Sequence, residues 1–332
     1  MMQSGNPADG QLERSPGWLA YLQLFRLPNV FTAIADVLMG YLLVHRVLEP
    51  SDTFPLLLLV LASSLIYTAG MVLNDVFDYQ VDCQQRPHRP LPSGRISLGR
   101  ARLLGLLMLL AGMIAAALSS WAVLPSAFPW RGLLVSVALV VTVLLYDGIL
   151  KKTILAPPLM GACRFLNVLL GMSFAGMTGG TDGLFLGWEH YQLLVATGLG
   201  VYVTGITFYA RSEAGESSRM ALSAGCLVMI VGLGILAMLF PRSVPETAGL
   251  RMTAGQAGFF IVVLSATVIY RAAWGVIEPT PKRVQAAVKR CILSIILLDA
   301  AITGILCPWY YAVLVLVLLL PTLVLGKWLY ST

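Results

Sequence analysis

Asn74-Asp75-Val76-Phe77-Asp78-Tyr79-Gln80-Val81-Asp82 closes an apolar run, Pro55 to Leu73, and opens onto the basic segment Arg86-Pro87-His88-Arg89-Pro90-Leu91-Pro92-Ser93-Gly94-Arg95. The apolar run is long enough to cross a bilayer as a helix. Continued as a helix, it carries Asp75, Asp78 and Asp82 at i, i+3 and i+7 on one face, with Asn74 four residues before Asp78. Like charges at this spacing cost roughly 0.2–0.5 kcal/mol per exposed pair, and the negative end of the helix dipole adds to the repulsion. Something cationic must compensate. A hard divalent ion such as Mg2+, held by one or two carboxylates and completed by phosphate oxygens, meets that need, and the neighbouring arginines suit the remaining oxygens. Asp75, Asp78 and Asp82 are therefore the expected metal ligands and catalytic carboxylates.

Of the 332 residues, 58% are hydrophobic and 11% charged, which places the chain among integral membrane proteins. Apolar segments at 27–45, 55–77, 98–121, 130–149, 155–178, 190–210, 219–240, 253–272, 287–306 and 309–328 predict an all-α polytopic bundle of nine or ten transmembrane helices. Only Cys307-Pro308-Trp309 separates the last two, which fits either one broken helix or a tight hairpin. Basic residues collect in alternate loops, leaving Arg46, Arg131, Arg242 and Arg251 on the sparse side and Arg164 inside a span. The positive-inside rule then puts the N-terminus and the acidic cluster on the cytoplasmic side, of a bacterial-type cytoplasmic membrane. The formal charge of +6 reads as topology and lipid headgroup contact, not nucleic-acid binding, since no basic face with stacking aromatics accompanies it.

Residues 1–16 form a polar tail without a basic n-region or cleavage site, so no removable signal peptide is expected, and 17–332 reads as one transmembrane domain. Trp18, Leu19, Leu22, Phe25 and Arg26 suit a short interfacial helix leading into the first span. The scattered cysteines at 83, 163, 226, 291 and 307 show no CxxC spacing, so neither zinc nor disulfides are expected.

Three further stretches can carry chemistry. The sixth span ends in Tyr209-Ala210-Arg211-Ser212-Glu213-Ala214-Gly215-Glu216, which as a helix puts Tyr209, Glu213 and Glu216 on one face beside Arg211. Two acidic helix ends would then face each other over an apolar cavity, the layout of a metal-diphosphate site in a helical bundle. Between them lies Tyr146-Asp147-Gly148-Ile149-Leu150-Lys151-Lys152, whose lysines can neutralise a diphosphate, although any cytoplasmic loop is basic. Arg164 sits a third of the way into the fifth span with Asn167 on its face. A charge there costs on the order of 2.5–3.5 kcal/mol on insertion scales. It either lines a substrate pocket with Asn167 or forms a buried pair with Asp36 or Asp299.

The pattern N-D-x-x-D-x-x-x-D followed by R-P-H-R-P-L-P-S-G-R closely resembles the UbiA-type intramembrane prenyltransferases. That resemblance implies Mg2+ and an isoprenyl diphosphate bound at Asn74, Asp75, Asp78 and Asp82, with Arg86 and Arg89 in a covering loop. Tyr146 and Lys151 resemble the family's motif after the fourth span, one residue longer here, and Asn29 resembles a polar residue near the start of the first span. The second acidic motif departs from the family's D-x-x-x-D: Glu213 stands as the equivalent, without any aspartate, and Arg211 offers positive charge in its place. Met160 to Gly171, taken with Tyr209 to Glu213, is similar to the EboC-like branch, which names no acceptor.

The implied activity is transfer of an isoprenyl group from its diphosphate to an aromatic or lipid-like acceptor by Mg2+-assisted ionisation, making the chain a transferase of alkyl groups other than methyl. Tyr67, Tyr79, Tyr146, Phe165, Tyr202 and Tyr209 are candidate walls for an allylic cation. The competing readings are a non-catalytic polyprenyl-lipid carrier with a degenerate second motif, and a secondary transporter using Asp36, Arg164 and Asp299. A phosphatidyl-alcohol transferase is disfavoured because Asp147-Gly148 lacks the following Ala-Arg and the downstream acids. Acceptor, tail length and oligomeric state are not written in the residues.

Overall fold

Leucine- and valine-rich runs interrupted by glycine build an all-helical bundle in the computed structural model, which describes residues 17–121, 129–174, 186–211, 218–238 and 254–330. In chain order the helices are α1 (Gly17–Phe25), α2 (Leu27–His45), α3 (Thr53–Phe77), α4 (Tyr79–Gln85), α5 (Leu98–Trp121), α6 (Arg131–Leu145), α7 (Ala156–Gly171) and α8 (His190–Arg211). They continue as α9 (Arg219–Ala237), α10 (Ala254–Ile277), α11 (Pro281–Leu306), α12 (Trp309–Val317) and α13 (Leu319–Tyr330). A wide turn, Tyr146–Leu150, extends α6.

Among the described residues, eight segments are long and apolar enough to cross a membrane. They are α2, α3 with its preceding turn, α5, α6 with the wide turn, α8, α9, α10, and α12 run on into α13. Two more of the segments expected as spans form helices, α7 and α11, which run beside these eight without being long and apolar enough to count with them. With 16 residues α7 is short of a span, and α11 carries Lys282, Arg283, Lys289 and Arg290 in its first half. Leucines such as Leu103, Leu107 and Leu110 on α5 stay exposed on the outside of the bundle, as a lipid-facing surface requires. This is an integral membrane protein.

The chain folds as a hairpin at Cys307-Pro308: α12 returns along α11, with Gly304 against Ala312, and α13 packs on α2. Helix α1 forms as expected, but the residues it buries are Ala20 and Leu24, against Val72, Val76, Leu91 and Ile96, while Trp18 stays exposed. Its apolar stripe is thus used to seat the loop after α4.

Helices α2, α3, α6, α7, α8 and α11 surround a central cavity, with α5, α9 and α10 packed outside them. Below the cavity α2 and α7 cross in direct backbone contact. A Cβ on Gly40 would stand 2.7 Å from the Val168 carbonyl oxygen, and one on Gly171 would stand 2.5 Å from that of Val37. In lipid such crossings hold by close van der Waals packing of small residues. At the far end Arg46 ties three helices together, its guanidinium donating to the Leu306 carbonyl oxygen (2.9 Å) and the Tyr191 hydroxyl (2.9 Å).

Gly40→Ala forces this crossing apart and should cost about 1–3 kcal/mol, read as a lowered unfolding temperature in detergent. Gly234→Ala, where an added Cβ meets nothing within 4 Å, should leave that temperature unchanged or raised.

Candidate active site

Helix α3 does not run unbroken through the acidic stretch, which corrects the expectation of one shared face. It ends at Phe77, Asp78 forms the junction, and α4 starts anew at Tyr79. The break turns Asp78 away from the other two, while Asp75 and Asp82 stay together on one side. Asp75 and Asp82 turn inward and are buried, while Asp78 is half-buried and faces another element. The sequence reading asked for a cation, and the protein itself provides several. The Asp75 Oδ1 accepts from Arg26 Nη2 at 2.7 Å and from Arg89 Nη1 at 3.4 Å, and the same Arg89 nitrogen donates to Asp82 Oδ2 at 2.7 Å. Arg86 lies 3.8 Å from the other oxygen of Asp82. Asp78 pairs with Lys151, whose ammonium also donates to the Asn74 side-chain oxygen.

Each base arrives from a different part of the chain. Arg26 occupies the joint between α1 and α2 in a left-handed conformation (φ 46°, ψ 45°), a backbone state that costs a non-glycine residue about 1–2 kcal/mol. That turn aims its side chain across the bundle at Asp75. Arg86 and Arg89 belong to the loop after α4, which is seated by buried Leu91 and Ile96, turned by Gly94 (φ 73°) and braced by Arg95 donating to the His88 carbonyl oxygen at 2.9 Å. Lys151 follows the wide turn after α6.

Two spaces lie at this end of the bundle. An open basin of about 620 Å³ is lined by Asp78, Asp82, Arg86, Lys151, Lys152 and Arg211. Arg211 also donates to the Thr153 carbonyl oxygen at 2.8 Å, tying α8 to the loop before α7. Beneath it, between the helices, lies a largely apolar cavity of about 280 Å³ with Arg26 and Asn29 among its lining residues. Among the described candidate wall aromatics only Tyr67 lines this cavity. Tyr202 and Tyr209 instead spend their hydroxyls on Ser294 and on the Ala272 carbonyl oxygen, so they are packing residues.

Arg164 takes the buried-pair alternative and still touches the cavity. Its guanidinium pairs with Asp36 and donates to the Thr32 carbonyl oxygen at 3.0 Å. Asn167 donates to the same Asp36 oxygen at 2.8 Å and accepts from Ser63 at 2.6 Å. Arg164, Asn167, Thr32 and Ser63 all face the cavity, with Asp36 and Asp299 fully buried behind them.

The structure thus brings Asn74, Asp75, Asp78, Asp82, Arg86, Arg89, Lys151 and Arg211 to one mouth, and Asn29, Arg164 and Asn167 to the cavity below. Tyr146 stands close by, among Asp147, Cys163, Arg211 and Asp78. Glu213 lies outside the described residues. Among the described residues no three acidic, histidine or cysteine side chains converge as a closed metal cage. Instead Asp75 and Asp82 converge on one cation, the Arg89 guanidinium. That pair of hard oxygen donors around a positive charge fits Mg2+, which needs few protein ligands when phosphates complete its shell. The sequence reading missed one residue of this set, Asp147, buried among Lys151, Asp78, Arg26 and Asp75. Its only signal was an acid at the apolar end of a span.

A family model described as the UbiA prenyltransferase family matches residues 33–295. The chain belongs to this family. Its UbiA fold is shared with a solved UbiA homolog from Archaeoglobus fulgidus bound to GPP and Mg2+ (TM-score 0.60, 12% identity, 86% of this chain and 99% of that one). It is shared equally with the structure of a digeranylgeranylglyceryl phosphate synthase (TM-score 0.61, 20% identity, 87% and 99%). Among curated relatives, the digeranylgeranylglyceryl phosphate synthase of Sulfurisphaera tokodaii is 38% identical over 99 residues, 30% of this chain and 35% of that protein. The enzyme of the same name from Methanoculleus marisnigri is 34% identical over 165 residues, 48% and 53% of the two chains. The chain therefore spans about a third to a half of the length of these curated relatives.

Breaking the Arg164 pair on one side leaves a buried carboxylate without its counter-charge, which typically costs about 3–5 kcal/mol. Arg164→Met should accordingly lower thermal stability in detergent strongly, whereas the double replacement Asp36→Leu with Arg164→Met should recover much of the loss.

Proposed function

We propose that this UbiA-family chain is an intramembrane prenyltransferase that moves an isoprenyl group from its diphosphate to an acceptor. The observation that carries the reading is the juxtaposition of a charged mouth with an apolar cavity. A lipid diphosphate has the same two-part character. Its head matches Arg26, Arg86, Arg89 and Lys151, and its tail matches the space beneath. The names of the relatives and the ligands of the Archaeoglobus homolog support the same class. The abundance of basic residues at this mouth supports a cytoplasmic orientation.

The chemistry follows from where charge develops. Cleavage of the allylic carbon–oxygen bond puts negative charge on the departing diphosphate, and pre-aimed cations stabilise that charge more than they stabilise the bound substrate. Arg89 and Arg26 now rest on Asp75 and Asp82, so these bases are held in position before substrate arrives. Mg2+ held by Asp75 and Asp82 would supply the remaining neutralisation and leave the arginines for phosphate oxygens, while Asp78 holds Lys151 at the same mouth. Below, the apolar walls keep water from the allylic cation, and the Tyr67 ring offers a face to it. A nucleophilic acceptor then attacks the carbon and passes its proton to the departing diphosphate; among the described residues no histidine lines either space.

Asp82→Asn should abolish release of diphosphate from isoprenyl diphosphates, by at least a hundredfold, with the protein still folded and inserted. Chelating Mg2+ should do the same to the unaltered protein. Diphosphate release undiminished in either case overturns the metal role, and tight binding of donor without any release in the unaltered protein would identify a lipid carrier instead.

A further inference from the structure

The cavity has a polar end, and we propose that this end is a length stop for the donor tail, fitting the protein to isoprenyl diphosphates of two to three units, ten to fifteen carbons. The inference rests on the prenyltransferase reading and adds to it the size of the donor. A pocket shaped only for hydrocarbon would be apolar throughout. Here the walls Leu139, Val143, Val203, Ile206, Ile292 and Ile295 are apolar, but the deep face on the α2, α3 and α7 side is not. Ser63, Asn167, Thr32 and Arg164 form it, joined to one another through Asp36 and the Thr32 and Ala33 carbonyl oxygens.

Three observations make this layer a floor. Its members hold one another by hydrogen bonds and an ion pair, so displacing any of them leaves buried polar groups without partners. Further down α2 and α7 there is no room, because Gly40 and Gly171 bring the two backbones into contact one turn below Asp36 and Asn167. Asp36, behind the layer, is fully buried, with Val37, Met39, Leu43, Leu59 and Leu170 packed at the same depth or below it.

The depth can be measured along α3. Ser63 lies twelve residues before Asp75, which at 1.5 Å per residue is about 18 Å. With the first tail carbon about a turn below Asp75, at the level of Met71, about 12 Å remain. An extended chain advances about 1.2 Å per bond, as a polypeptide covers about 3.6 Å in three, so a four-bond isoprene unit takes about 5 Å. Between two and three units fill the space, so the end of the third meets Ser63 and Asn167 and a fourth has no room.

The test measures binding of isoprenyl diphosphates with five, ten, fifteen, twenty and forty carbons to the purified full-length protein in detergent with Mg2+. Affinity should tighten about tenfold or more for each unit that enters apolar surroundings, then stop rising or fall beyond fifteen carbons. Val203→Phe, which narrows the cavity about 12 Å below Arg211, should move that break one unit shorter. Val231→Phe, on the exposed side of α9, should leave the length profile unchanged. Affinity that keeps climbing through twenty and forty carbons, or a break unmoved by Val203→Phe, overturns the length stop. Failure of every diphosphate to bind overturns the prenyltransferase reading and the inference with it.

Discussion

Charge inside a low-dielectric bundle is tolerated only when it is matched, and this constraint organises both ends of the cavity. At the mouth, Asp75, Asp78 and Asp82 would repel one another along a single helix. The fold relieves that by breaking the helix at Asp78 and bringing Arg26, Arg89 and Lys151 from three separate segments. The pairs therefore do structural work before any ligand binds: they fasten the α1–α2 joint, the loop after α4 and the turn after α6 to the end of α3. A phosphate-bearing ligand competes for the same cations, so binding and local order at the mouth are coupled.

The same constraint acts in the middle of the bundle with a different outcome. Arg164, Asp36, Asn167, Thr32 and Ser63 bond to one another inside the protein rather than reaching solvent or headgroups, although among the described residues Asp36 Oδ1 and the Asp299 carboxyl behind it are left without a hydrogen-bond partner. Such a layer contributes little net stability compared with well-packed apolar residues, yet removing one member is costly. Its value here is positional. It keeps three helices in register and sets the depth to which an apolar tail can enter, directly above the glycine crossing of α2 and α7.

Much of the architecture is legible in residue order because the bilayer leaves few options. Backbone groups in hydrocarbon must be satisfied within a helix, so long apolar runs read directly as spans. The acidic motif, the basic loop and Lys151 are legible for a related reason: charged side chains at the ends of such runs are expensive unless used. Less legible is anything that depends on helix rotation or on breaks. Tyr202 and Tyr209 look like cavity aromatics in a linear reading, and only the packing of α8 against α10 and α11 shows their hydroxyls spent elsewhere. Asp147 is visible in sequence only as part of a basic loop, because its burial among Lys151, Asp78 and Arg26 comes from a wide turn that periodicity does not announce.

By itself the sequence determined that this chain is a helical membrane protein with acids and bases concentrated at one end of its spans, since hydropathy and charge are local properties of residues. Tertiary structure alone decided which base meets which acid, that Arg164 answers Asp36, and where the cavity stops. Those outcomes depend on helices far apart in the chain meeting at a fixed rotation and depth, and no local pattern encodes that geometry.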